Sequence, residues 1–144
     1  MGWLFVNVVL PALSPLALMA IIFMPWRRKF DAKSQELVNF LSPIKDGQLC
    51  WAGLAFCAAA LYEMHETAGA AKALAGHDGM LEVAFIVLII INSSFAAGGA
   101  VFPAELPRPP GIGISEHFPV LLWSAFASGV SAGLFALVHF ELAP

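Results

Sequence analysis

The sequence predicts an all-α integral membrane protein with four transmembrane helices and a short interfacial amphipathic helix between spans one and two. Of its 144 residues, 60% are hydrophobic and only 12% are charged, and the mean hydropathy is +0.82. Soluble domains contain about 25% charged residues, and a chain of this size cannot bury so much apolar surface in its own core. Because each spanning helix needs about 20 apolar residues, the chain has room for four spans in a single bundle domain, residues 1–144.

The first span is predicted at about residues 3–26. Trp3 and Trp26 mark its ends, as aromatic residues do where a helix meets the membrane–water interface. Pro11 and Pro15 lie inside it and are expected to kink it or to unwind it locally. No charged side chain precedes the apolar run, whereas cleavable signal peptides carry positive charge there, so the segment is expected to be retained.

A basic cluster ends the first span. Its members are Arg27, Arg28, Lys29 and Lys33. Residues 30–41 then mix polar side chains with apolar ones at helical spacing, which predicts a short amphipathic helix that lies on the membrane surface. An ordinary connecting helix is the alternative.

The second span is predicted at about residues 44–64. Ser42 and Pro43 precede it and are typical of a helix start. The span is rich in small residues, which allow helices to approach closely. Cys50 and Cys57 lie about 10 Å apart along the helix axis, too far for a disulfide, and are interpreted as small packing residues.

Spans three and four are predicted at about residues 80–102 and 119–142. The first half of span three is bulky and β-branched, which favours contact with lipid. Its second half, from Asn92 onwards, is small and polar and is expected to face protein or water. The connector between these spans, residues 103–114, is rich in Pro and Gly and is predicted to be extended.

The distribution of basic residues predicts the orientation. Five of the seven lie between residues 27 and 45, so the positive-inside rule places this loop in the cytoplasm and both termini in the periplasm of a bacterial inner membrane. The lipid bilayer is then the first partner of the chain. Outside this stretch there is no basic patch of the kind that binds nucleic acid.

Polar residues within spans three and four are the first candidates for function. The set that lines a pore or packs helices comprises Asn92, Ser93, Ser94, Ser124, Ser128 and Ser131. The last three recur at i, i+4 and i+7, so they share one helix face, and such a hydroxyl stripe either lines a water-filled path or bonds neighbouring helices. Gly129 and Gly133 form a small-x-x-x-small pair that favours tight helix packing, within the chain or between copies.

A second candidate site collects at the predicted outer ends of the spans. It comprises Glu63, His65, His77, Glu82 and His139. Clustered imidazoles and carboxylates bind divalent metals, relay protons or sense pH. The plainer alternative is that polar residues gather at span ends because headgroups solvate them. We expect no cofactor, with a metal ion or haem at this cluster as the lesser alternative.

The function predicted is that of a small homo-oligomeric inner-membrane pore, channel or holin-like lesion-forming protein. Its basis is the small size, the hydroxyl stripe and the small-residue faces, which favour self-association. The alternative is an accessory or immunity-type subunit that binds another membrane protein, and a haem- or metal-binding redox protein is the lesser alternative. Neither GxSxG nor HExxH occurs, and no enzyme is predicted.

Overall fold

A computed structural model of the chain describes residues 2–11, 13, 44–66, 78–105 and 109–142. These residues form helices joined by turns and extended connections, and no strand occurs among them. The helices are α1 (Gly2–Leu4), which continues as a π-helical turn (Phe5–Val9), α2 (Leu49–Glu66), α3 (Asp78–Val101), α4 (Ile114–His117) and α5 (Pro119–Leu142). Several predicted features lie outside the described residues: the first span beyond residue 13, the basic cluster Arg27, Arg28, Lys29 and Lys33, the surface helix 30–41, and His77.

Helices α3 and α5 are long and apolar enough to cross a membrane. The qualifying segments are Gly79–Val101 and Pro119–Glu141, with hydropathies of 2.1 and 1.8. They coincide with predicted spans three and four to within two residues. Helix α2 has 18 residues and is about 27 Å long, but it carries Glu63 and Glu66 near its end. It is not among the described helices that are long and apolar enough to cross a membrane.

The start of α2 differs from the sequence prediction. Residues 44–48, predicted as the first helical turn of span two, form non-helical turns, and the helix begins at Leu49. Gly47 is the cause, because its φ of +78° is a left-handed conformation that glycine adopts without strain. A π-helical turn occupies Phe5–Val9, just before Pro11, which lacks the amide hydrogen for the normal helical hydrogen bond. The predicted kink or unwinding of span one stays a prediction, because most of that span lies outside the described residues.

Helix α2 packs against both α3 and α5. Contacts at the helix ends show that α2 and α5 run parallel and that α3 runs antiparallel to both. The buried apolar cluster draws on all three helices, and it consists of Phe56, Cys57, Ala60, Phe85, Leu88, Phe135 and Val138. Trp3 and Val8 of the amino-terminal segment pack against this cluster. Both cysteines are free and buried, as predicted for packing residues.

The outward surface of the bundle is apolar. On the first half of α3, large side chains such as Val83, Ile86 and Val87 are exposed, as the prediction of lipid contact requires. In lipid the hydrophobic effect does not drive helices together, so close packing and hydrogen bonds between helices carry more of the stability. The polar contacts inside the bundle therefore matter for its architecture.

Candidate functional site

The serine stripe of α5 lies in its contact with α2. Ser124 and Ser131 are fully buried and Ser128 nearly so. The Ser128 hydroxyl donates to the Leu49 carbonyl at the start of α2, with an O–O distance of 2.7 Å. The Ser124 and Ser131 hydroxyls donate to carbonyls of their own helix, each at 2.9 Å. Within one chain, this stripe joins helices instead of facing an open path.

Asn92 of α3 lies at the centre of the bundle and is fully buried. Its Nδ2 donates to the Leu88 carbonyl at 2.9 Å and to the Ser131 hydroxyl at 3.1 Å, which links α3 to α5. Its Oδ1 has no hydrogen-bond partner among the described residues and lies against the backbone of Gly53 on α2, where a Cβ would overlap the amide. Asn92 therefore contacts all three long helices, and Gly53 is the residue that makes room for it.

Ser93 and Ser94 point the other way. Both are exposed on the outward face of α3, and the Ser94 hydroxyl donates to the Ile90 carbonyl at 2.8 Å. An apolar groove of about 430 Å³ runs between α3 and α5 on this side, and Ser94 lines it together with apolar residues that include Phe95, Trp123, Phe126 and Val130. The six polar residues of the predicted pore-lining or packing set therefore divide into four that face inward and two that face outward.

The Gly129 and Gly133 pair is also on the outward face. Both residues are exposed, and a Cβ at either position would meet nothing within 4 Å among the described residues. Leu122, Phe126 and Leu137 are exposed on the same side of α5. The pair therefore packs against no helix in the described part of its own chain, and the prediction of tight packing applies only to a contact with another chain or with an undescribed segment.

The predicted cluster of histidines and carboxylates separates into two pairs at the end of the bundle where α2 finishes. His139 Nδ1 lies 3.1 Å and 3.3 Å from the two carboxylate oxygens of Glu63, and both side chains are largely buried. His65 Nε2 lies 3.9 Å from Glu82 Oε1, and both of these side chains are substantially exposed. No group of three His, Cys, Asp or Glu side chains with metal-binding geometry occurs among the described residues, so the metal alternative gains no ligand set there.

Trp3 completes the His139 site. Its indole stacks on the imidazole with ring centroids 3.6 Å apart and planes within 7° of parallel. Phe135 and Phe140 also contact the indole, at centroid distances of 5.0 Å and 5.7 Å. The sequence indicated only an interfacial anchor at Trp3, because no local pattern connects residue 3 to the last turn of α5.

Lys45 and Asp46 form a polar contact at the opposite end of the bundle that the sequence did not indicate. The Lys45 ammonium is buried, lies 2.6 Å from the Asp46 carboxylate and also donates to the Ala104 carbonyl. The Ala104 amide donates to Asp46 Oδ1 at 2.8 Å. The two side chains thereby hold both backbone polar groups of Ala104. Because Asp46 neutralises the charge of Lys45, Lys45 adds little to the positive charge that predicts which loop is cytoplasmic. That prediction depends on the basic cluster after span one.

Comparison with known proteins gives no relative from which to transfer a function. No protein-family model, curated protein or solved structure matches the chain.

Proposed function

We propose that the chain is a non-enzymatic protein of a bacterial inner membrane that self-associates and forms a pore or lesion between copies. The observation that carries this proposal is the division of the intramembrane polar residues. Asn92 and the serine stripe are buried in the bundle interior, whereas Ser93 and Ser94 are exposed on an otherwise apolar surface of the described structure.

A water path through one copy is disfavoured by the contacts of the interior. Opening it would break the bond from Ser128 to Leu49 and the bond from Asn92 to Ser131, which join the helices. In an apolar membrane, interhelical hydrogen bonds of this kind are worth about 0.6 kcal/mol each on average. The close packing of Asn92 against Gly53 would be lost as well. The conduit that we propose therefore lies between copies.

The outward half of α3 has the composition that such a conduit requires. Ser93 and Ser94 offer hydroxyl groups, and Ala97 and Ala100 on the same exposed side are small enough to leave space. Hydroxyl groups stabilise water and ions in a narrow path. Gly129 and Gly133 on α5 offer a second surface, on which a helix of a neighbouring copy is able to approach closely.

A dye-release assay with reconstituted liposomes tests the pore. Wild-type protein is expected to release a trapped small fluorescent dye, and Ser93→Leu and Ser94→Leu together are expected to reduce the rate at least about tenfold, because leucines replace the hydroxyls and narrow the path. Val87→Leu is the matched control, since Val87 is exposed on the same helix within its apolar half. Absence of release by wild-type protein, or equal release by the double variant, would contradict the proposal.

An accessory or immunity-type subunit that binds another membrane protein is the second candidate. The apolar groove between α3 and α5 favours it, since about 430 Å³ accommodates one or two large side chains of a partner helix. Phe126→Ala and Trp123→Ala alter this groove and leave both Ser93 and Ser94, the latter a lining residue of the groove, in place. If crosslinking in native membranes captures one protein of a different sequence, and both variants abolish capture, this second candidate replaces self-association.

The proposed topology has four spans with both termini in the periplasm. It is supported by the two long apolar helices and by the basic cluster after the first span. Alkaline phosphatase fused after Pro144 is expected to be active, because this enzyme needs the oxidising periplasm to form its disulfides. An inactive fusion, together with an active cytoplasmic reporter at the same site, would show the reverse orientation.

A further inference from the structure

We propose that Glu82 makes the path between copies selective for small cations. This inference rests on the proposed pore, since it concerns the ions that pass along the outward face of α3. Glu82 lies in the second turn of α3 and is the only charged residue of the apolar segment Gly79–Val101. It therefore supplies the full charge that the hydroxyl groups of Ser93 and Ser94 lack.

Glu82 lies on the same side of α3 as residues proposed to line the path. An α-helix turns by about 100° per residue, so residues 11, 15 and 18 positions further on lie within about 60° of the starting direction. Ser93, Ala97 and Ala100 follow Glu82 at these spacings, and all three are exposed in the described structure. This face of α3 therefore has a carboxylate near one end of the helix and small or hydroxyl-bearing residues towards the other.

The face between Glu82 and Ser93 is apolar. Ile86 lies one turn after Glu82 on this face and is exposed. An uncharged apolar section of a path does not distinguish cations from anions by charge. A hydroxyl group does so only weakly, because its oxygen accepts from one partner and its hydrogen donates to another. The carboxylate of Glu82 is therefore the group on this face that sets the sign of the preferred ion.

The Glu82 carboxylate is accessible and has no permanent cation beside it in the described structure. Its side chain is 47% exposed, and Nε2 of His65 lies 3.9 Å from Oε1, which is longer than a hydrogen bond. Lys45 is the one Lys or Arg among the described residues, and it is buried against Asp46. The other exposed carboxylates of the described part are Glu66, Glu105, Glu116 and Glu141. The charge on the described surface therefore attracts cations.

Self-association strengthens the effect of a single carboxylate. Each copy contributes one Glu82, so copies arranged symmetrically around a shared path place their carboxylates at the same depth. Rings of carboxylates favour cations in channels, because they concentrate counter-ions at the entrance and repel anions. The attraction is stronger beside an apolar membrane than in bulk water, since the effective dielectric constant is lower there.

Reversal-potential measurements in planar bilayers test the selectivity. Phosphatidylcholine carries no net charge, so in a bilayer of this lipid the ion preference comes from the protein. Under a KCl gradient, the permeability of the wild-type protein to K⁺ is expected to exceed its permeability to Cl⁻ at least about tenfold, because a path lined by one sign of charge enriches its counter-ions by that order. Glu82→Gln keeps the size of the side chain and is expected to lower this ratio at least about fivefold, because the charge is removed.

Two variants at the same end of the bundle are the controls. Glu66→Gln removes an exposed carboxylate that belongs to the last residue of α2, not to α3, and it is expected to keep the wild-type ratio. His65→Gln removes the neighbour of Glu82 without removing negative charge, and it is expected to keep the preference for K⁺.

The outcomes separate the selectivity from the pore. A wild-type protein that conducts K⁺ and Cl⁻ equally would overturn the selectivity and leave the pore in place. A wild-type ratio in Glu82→Gln, or an equal fall of the ratio in Glu66→Gln, would overturn the assignment to Glu82. Absence of conductance in the wild-type protein would contradict the proposed pore, and the selectivity with it.

Discussion

The Asn92 side chain occupies the contact between the three long helices, and its neighbours account for its position. Its amide nitrogen joins α3 to Ser131 of α5, and its amide oxygen lies against Gly53 of α2. An amide exposed to lipid instead would lose the Ser131 partner, which is costly in an apolar medium. The position of the Asn92 amide therefore depends on the absence of a side chain at Gly53, and it requires the observed arrangement of the helices.

Substitution of Gly53 by Ala tests this fit. The added Cβ overlaps the Asn92 amide, so the Asn92 side chain or one of the two helices must shift, and overpacking of this kind costs about 1–3 kcal/mol. We expect the free energy of unfolding in detergent, measured by far-ultraviolet circular dichroism, to fall by that amount. The double variant Gly53→Ala, Asn92→Ala is expected to recover part of the loss, because the overlapping amide is absent and the two effects are coupled.

Gly98→Ala is the control for this experiment. Gly98 lies on α3, and a Cβ there meets nothing within 4 Å in the described structure. Its replacement by Ala should leave the stability unchanged or raise it by about 0.5–1 kcal/mol, because Ala favours a helix interior. An equal loss of stability in both variants would show that the effect of Gly53→Ala does not arise from the Asn92 contact.

At the scale of elements, the sequence predicted those helices whose signal is local. Apolar runs of sufficient length located α3 and α5. The Pro- and Gly-rich composition predicted an extended connector at residues 103–114; its described residues 103–105 and 109–113 are non-helical, with a turn at 110–111, but α4 begins already at Ile114. The prediction that residues 44–48 form the first helical turn of span two was wrong, because α2 begins at Leu49. Lys45 and Asp46 there hold Ala104, which is distant in sequence, and a local pattern does not contain such a contact.

The candidate site was predictable in its residue types but not in its pairing. Spacing alone placed Ser124, Ser128 and Ser131 on one face, yet it left open whether that face meets water or another helix. The answer depends on the rotation of α5 about its own axis, which is set by packing against α2. The partnership of Glu63 with His139, and of His139 with Trp3, likewise depends on how the helix ends meet. A periodic pattern carries no information about that register.

At the scale of the whole molecule, most of α3 and α5 is not covered by the rest of the described structure. Only 22% of an 18-residue apolar stretch in α3 and 33% of one in α5 are buried there. The outward surface contains the groove between α3 and α5, the exposed Ser93 and Ser94, and the open Gly129 and Gly133 pair. Lipid, a second copy or a part of the chain outside the described residues is able to cover such a surface. We propose the second copy, because small residues favour close packing between helices.

The mass of the purified protein in detergent, measured by light scattering with the detergent contribution subtracted, tests self-association most directly. We expect a single defined oligomer, a whole multiple of 15.3 kDa, and a shift towards the monomer when Gly129 and Gly133 are both replaced by Leu, because the larger side chains block close approach. Ala58→Leu, at an exposed position on α2, controls for a general effect of added bulk. A wild-type mass of 15.3 kDa at every protein concentration would contradict self-association, and with it the proposed pore.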